Sequence, residues 1–191
     1  MSDFKICDIL LDTPAHPTLV QKIQMFHDGG KSVHVEMIVY PDAGNGQVVT
    51  IGSDLKDGLS YRLRYVDDFC KVIRCTDTIP YSDEQKIALI DRYFKEKELT
   101  GGRDYPIGNV IISGINRAID FYTFGAFHRI DFGIYKGNSD CSSTVAELIY
   151  MIFPGKLIQR KNDHGLIPFK MVTPCDIEFA NRFALIKDYG V

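Results

Sequence analysis

The first half of the chain alternates in strands, and the second half repeats at helical spacing. Residues 5–12 (KICDILLD) form a short apolar run that reads as a buried strand, closed by Pro14 and Pro17. In 18–27, Leu19, Ile23 and Phe26 recur at helical spacing, and Gly29-Gly30 stops that predicted helix. Residues 32–40 (SVHVEMIVY) are β-branched and apolar, as a strand requires. The segment PDAGNG at 41–46 predicts a hairpin-type turn, and QVVTI at 47–51 the returning strand. Residues 59–66 and 70–74 predict further strands of the same antiparallel sheet.

Helices follow. Ser82 and Gln85 have capping-box spacing, and Ile87, Ile90 and Phe94 mark one apolar face behind them. Residues 100–106 (TGGRDYP) predict a loop. In 109–124, Ile112, Ile115 and Ile119 share one side of a predicted helix, and 127–138 reads as irregular or weakly extended. Residues 140–153 predict a helix with Val145, Leu148, Ile149 and Ile152 toward a core, ended by Pro154-Gly155. Thr173-Pro174 marks the tail, and a last strand is predicted at 183–186. Strands cluster early and helices flank them, so the fold class is α+β, with a central antiparallel sheet and flanking helices.

The chain has 191 residues, the length of one domain, 1–191. There is no internal repeat, low-complexity tract or linker. Hydrophobic residues at 45% and charged residues at 25% are ordinary for a globular chain and argue against wholesale disorder. No apolar run reaches the roughly 18 residues of a membrane span. The absence of a basic, then apolar, leader points to the cytoplasm, unless export takes another route. A net charge of −3 argues against nucleic acid as a partner through general electrostatics.

The 5 cysteines are Cys7, Cys70, Cys75, Cys141 and Cys175, with no CxxC pair. A zinc site is poorly supported, and neither a metal nor another cofactor is expected. In a reducing compartment free thiols are the default. Cys141 follows a loop and opens a helix. The unpaired N–H groups and positive dipole end of a first helical turn favour a thiolate and can hold an oxyanion. A buried cysteine beside a Ser/Asp cap is the plainer account of the same pattern.

A nucleophilic thiol needs a base. Period-two alternation puts Ser32, His34 and Glu36 on one strand face, opposite Val33, Val35 and Met37. On this pattern alone the simpler reading is a solvent-exposed polar face. His16, His27, His128 and His164 read as solvated positions.

Five segments together resemble a known family. Cys7-Asp8-Ile9-Leu10-Leu11 looks like an opening "GDIL" segment, with Cys where Gly is usual. Ser32–Ile38 looks like the "SHVGI" strand that supplies a catalytic histidine. Gly101–Tyr105 looks like a "G-x-x-Y" segment, and Asp140-Cys141-Ser142-Ser143 is similar to a "DCS" nucleophile motif. Thr173-Pro174-Cys175-Asp176 looks like the late "TPxD" segment. With His before Cys, this order resembles the circularly permuted papain-like fold of the NlpC/P60 superfamily, the YaeF/YiiX-like amidase group. The resemblance implies Cys141 as nucleophile and His34 as general base in cysteine-dependent hydrolysis of an amide bond, through a thioester.

The resemblance implies a polar residue on the next strand as orienter of the histidine, which falls on Thr50, with Gln47 more distant. Glu36 shares the face of His34 and is an equal candidate, although residues two apart on a strand tend to point in parallel. Tyr105, Asp140 and Ser142 are the implied substrate-side positions. For Asp140 a helix cap is the simpler reading, and Tyr105 reads equally as a packed loop residue. The implied partner is a small peptide, a cell-wall peptide or an N-acyl conjugate. The apolar 109–138 segment would line a site for a substrate with an apolar part. Two other functions are compatible with the sequence. One is acyl transfer or thioesterase chemistry as in the lecithin retinol acyltransferase branch, whose cysteine motif differs. The other is a non-catalytic binding protein on this fold.

Overall fold

The computed structural model describes residues 3–14, 16–19, 21–22, 25, 31–54, 56–101, 140–153, 158 and 172–189. Among them, six strands form one antiparallel sheet. In chain order these are β1 (Ile9–Asp12), β2 (His34–Tyr40), β3 (Gln47–Asp54), β4 (Gly58–Tyr65), β5 (Lys71–Cys75) and β6 (Phe183–Asp188). Their order across the sheet is β4-β3-β2-β1-β5-β6, so β1, first in sequence, lies between β2 and β5. The β2–β3 turn follows its sequence signal: Asn45 and Gly46 both take positive φ, 52° and 75°.

Among the described residues, α1 (Asp83–Leu99), α2 (Cys141–Ile152) and α3 (Pro174–Glu178) accompany the sheet. The capping box at Ser82 forms as its spacing predicts, with the Gln85 N–H donating to Ser82 Oγ and the Ser82 N–H to Gln85 Oε1. A second capping box, between Thr173 and Asp176, opens α3. Helix α2 packs on β2 and β3, and α1 and α3 pack on α2.

Alternation divides the apolar residues between two sides of the sheet. Ile9, Leu11, Val35, Met37, Val39 and Ile51 meet Val145, Leu148, Ile149 and Ile152 of α2 in the main core. Leu10, Ile38, Val48 and Val72 form a second cluster with Val66 and Phe69. Each fully buried Leu, Ile or Met contributes about 1.5–3 kcal/mol.

The boundaries depart from the sequence reading at the first strand. It starts at Ile9 rather than residue 5, because Cys7 takes φ 73° and turns the chain. The predicted helix at 18–27 lies only partly in the described residues, where Thr18 and Gln21 exchange side-chain-to-backbone hydrogen bonds. The loop from residue 102, the 109–124 helix, the 127–138 segment and Tyr105 lie outside the described residues.

Candidate active site

Cys141 is the first residue of α2 and is 5% exposed. Asp140 is the N-cap, and its Oδ1 accepts the Ser143 N–H at 2.7 Å. Burial pushes the Asp140 carboxyl up, against hydrogen bonds from Ser143 and Ser142 that favour its anion. Its Oδ1 is thus turned into the cap. The Ser142 hydroxyl lies 2.7 Å from the Val172 carbonyl oxygen and 3.0 Å from Asp140 Oδ1. Asp140 and Ser142 therefore hold the start of α2 in place.

His34 opens β2, opposite Asp12 of β1. Its Nε2 lies 3.0 Å from Glu36 Oε1, and its side chain is 22% exposed. With Nε2 on an acceptor, Nδ1 is the nitrogen left for a thiol. Burial alone would push the imidazolium toward neutrality. The hydrogen bond and charge of Cys141, then those of Glu36, outweigh it and raise His34 to about 10. His34 thus interacts with Cys141 on one side and Glu36 on the other.

Glu36 is fully buried yet ionic. Burial would raise its carboxyl, but donors from His34 and Arg64, the His34 charge and Thr50 hold it well below the usual carboxylate range. Oε1 accepts from His34 Nε2 at 3.0 Å, Arg62 Nη1 at 3.0 Å and Arg64 Nη2 at 2.8 Å. Oε2 accepts from Thr50 Oγ1 at 2.5 Å and Arg64 Nε at 3.2 Å.

The register explains this convergence. Thr50 pairs with Ile38 on β2 and with Arg62 on β4, and Val48 pairs with Arg64. Directly paired residues share a sheet face, so Glu36, Thr50, Arg62 and Arg64 stand together. The two candidate orienters are therefore stacked: Glu36 touches His34, and Thr50 touches Glu36. Gln47 pairs with Tyr65 at the start of β3.

Sequence reasoning missed Arg62, Arg64 and Asp12. The alternation Tyr61-Arg62-Leu63-Arg64 carried a signal for the arginines, since two cations on one strand face call for an anion on the neighbouring strands. Asp12 is raised by burial, with His34 and Arg64 opposing and Glu36 assisting. Among the described residues, no group of three or more His, Cys, Asp or Glu is placed to hold a metal ion. Among them, too, no helix is long and apolar enough to cross a membrane.

The stacking predicts an asymmetry. Thr50→Val removes one donor from a carboxylate that keeps four other contacts. It is expected to cost about 1.5 kcal/mol in urea denaturation, with His34 titrating in NMR as in the wild type. A large drop in the His34 midpoint would make Thr50 the orienter instead.

Comparison with known proteins finds no family model and no curated protein that matches this chain.

Proposed function

We propose that the chain is a cysteine-dependent hydrolase of amide bonds. Cys141 is the nucleophile, His34 the general base and acid, and Glu36 the group that orients His34. The observation that carries this reading is the line Cys141–His34–Glu36. It joins a thiol at a helix N-terminus, a partly exposed imidazole interacting with it, and a buried carboxylate 3.0 Å from Nε2. The resemblance to permuted papain-like amidases of the NlpC/P60 superfamily supports it from the sequence. So does Cys7, whose φ of 73° is the conformation that favours the glycine usual there.

The chemistry follows from the contacts. Nδ1 of His34 takes the Cys141 proton, and Glu36 stabilises the imidazolium through Nε2–H. The thiolate attacks the carbonyl carbon of the substrate amide. The Asp140 cap takes the Ser143 N–H, and the Cys141 N–H in the first turn is the donor assigned to the oxyanion. His34 returns the proton to the leaving amine as the C–N bond breaks and a thioester forms. His34 then takes a proton from water, which attacks the thioester, and the acid is released with the thiol restored. The substrate class is a peptide, a cell-wall peptide or an N-acyl conjugate.

The test is the rate of iodoacetamide alkylation at each cysteine against pH, read by mass spectrometry in wild type and His34→Ala. Cys141 is expected to react fastest at about pH 6, where an unassisted thiol of pKa about 8.5 is almost wholly protonated. Cys7, pushed up to about 12 by burial, should stay slow. His34→Ala should remove the advantage of Cys141. A Cys141 that reacts as an ordinary thiol in both proteins would overturn the reading.

A further inference from the structure

Glu36 is held from strands other than its own. The carboxylate accepts a two-point contact from Arg64, through Nε at 3.2 Å and Nη2 at 2.8 Å, and one from Arg62 Nη1 at 3.0 Å. Arg62 is itself anchored, its Nη2 lying 2.9 Å from the Gly58 carbonyl oxygen and 3.0 Å from Asp54 Oδ2. Its side chain is 9% exposed, so it is not a surface cation awaiting a substrate. The Arg64 fork is spent on Glu36, and binding a substrate carboxylate with it would break that contact.

Space is as constrained as charge. A Cβ added at Gly52 would lie 2.8 Å from Glu36 Cγ and 3.4 Å from its Cβ and Cδ. The Cγ is not the free end of a flexible chain, because the carboxylate beyond it is pinned by His34, Thr50, Arg62 and Arg64. Residue 52 therefore has to lack a side chain for Glu36 to turn back along its own strand to His34. This accounts for a contact that residues two apart on one strand face do not usually make.

We propose that Gly52, Arg62 and Arg64 are positioning residues: the glycine leaves the space that Glu36 fills, the two guanidinium groups pin its carboxylate, and the orientation of His34 is set from β3 and β4. This rests on the hydrolase reading. It adds that the competence of the Cys141–His34 pair is governed by residues that touch neither the thiol nor the imidazole.

The test uses the full chain with Gly52→Ala and Arg64→Lys, each alone and combined with Glu36→Gln. Arg64→Lys keeps the charge and loses the fork, so its effect reads geometry. The readouts are Cys141 alkylation at about pH 6, the His34 titration by NMR, and circular dichroism for the fold. The groups facing His34 in that titration are Cys141, Glu36, Asp12 and, through Glu36, Arg64.

Gly52→Ala is expected to slow alkylation about tenfold and lower the His34 midpoint by about one pH unit. Arg64→Lys should act the same way, by about threefold, with the fold intact. In the Glu36→Gln background neither should add a further effect, because both act through Glu36. Should Gly52→Ala fail to fold, Arg64→Lys carries the test alone. Variants that keep the wild-type alkylation and titration overturn the inference, as do effects that add fully to Glu36→Gln. A wild type without the Cys141 advantage near that pH overturns the hydrolase reading beneath it, and this inference with it.

Discussion

Cys141→Ser is expected to abolish amide hydrolysis, a loss on the order of 10⁴-fold or more, with the fold unchanged. The oxygen is smaller than the sulfur, so it crowds nothing, and it sits at the same first residue of α2. The Asp140 cap, which does not use the Cys141 side chain, stays whole. The loss is therefore chemical. A serine hydroxyl keeps its proton far above neutral pH, so the imidazole has no anion to generate in the ground state. A second readout needs no substrate. The hydrogen bond and charge of Cys141 are the largest of the influences that raise His34 to about 10. In Cys141→Ser the largest support of the imidazolium is gone and Glu36 and Asp12 remain, so the His34 midpoint in NMR should fall. A variant that hydrolyses amides normally would remove Cys141 from the mechanism. An unchanged His34 titration would show that the two side chains do not interact.

The strands were legible because their chemistry is local. Val33, Val35 and Met37 alternate with polar neighbours, and Ser82 and Gln85 carry their cap in their spacing. The convergence on Glu36 was not legible, because it depends on register. Thr50 meets Arg62, and Val48 meets Arg64, only once β2, β3 and β4 are paired. A one-residue slip would send both arginines to the other face. The general expectation that Glu36 points parallel to His34 gives way here to a specific cause, the empty space at Gly52. Likewise, the first strand is short because of one backbone angle at Cys7, which composition does not reveal. For Asp140, the sequence left cap and substrate contact open; its Oδ1 lies on Ser143 and Ser142, at the start of its own helix.

Glu36→Gln is expected to destabilise the protein more than any other single change at the site, and its cost should depend on pH. The glutamine fills the same space but leaves Arg62 and Arg64 without a counter-charge. Removing one partner of a buried ion pair costs about 3–5 kcal/mol; Arg64 is a third exposed and the amide oxygen still accepts one bond, which puts the expected loss near the lower end, about 3 kcal/mol. For a chain of this length that lowers Tm by on the order of 10 °C. The carboxyl is depressed in the fold from an ordinary value of 4.5, so its contribution is fully present above that pH and is lost as pH falls below it. His34 has the opposite sign. Raised from 6.5 to about 10, its contribution is fully present below 6.5 and is lost as pH rises toward 10. The stability gap between wild type and Glu36→Gln, measured by urea denaturation at several pH values, should thus be widest between about 4.5 and 6.5. It should close on the acid side as the wild type takes up the proton that Gln cannot, and narrow on the alkaline side as His34 loses its charge. A gap independent of pH would mean that Glu36 acts through shape alone. A gap under about 1 kcal/mol would mean that water already neutralises both arginines. Either result would remove the ionic hub from the explanation of how His34 is held.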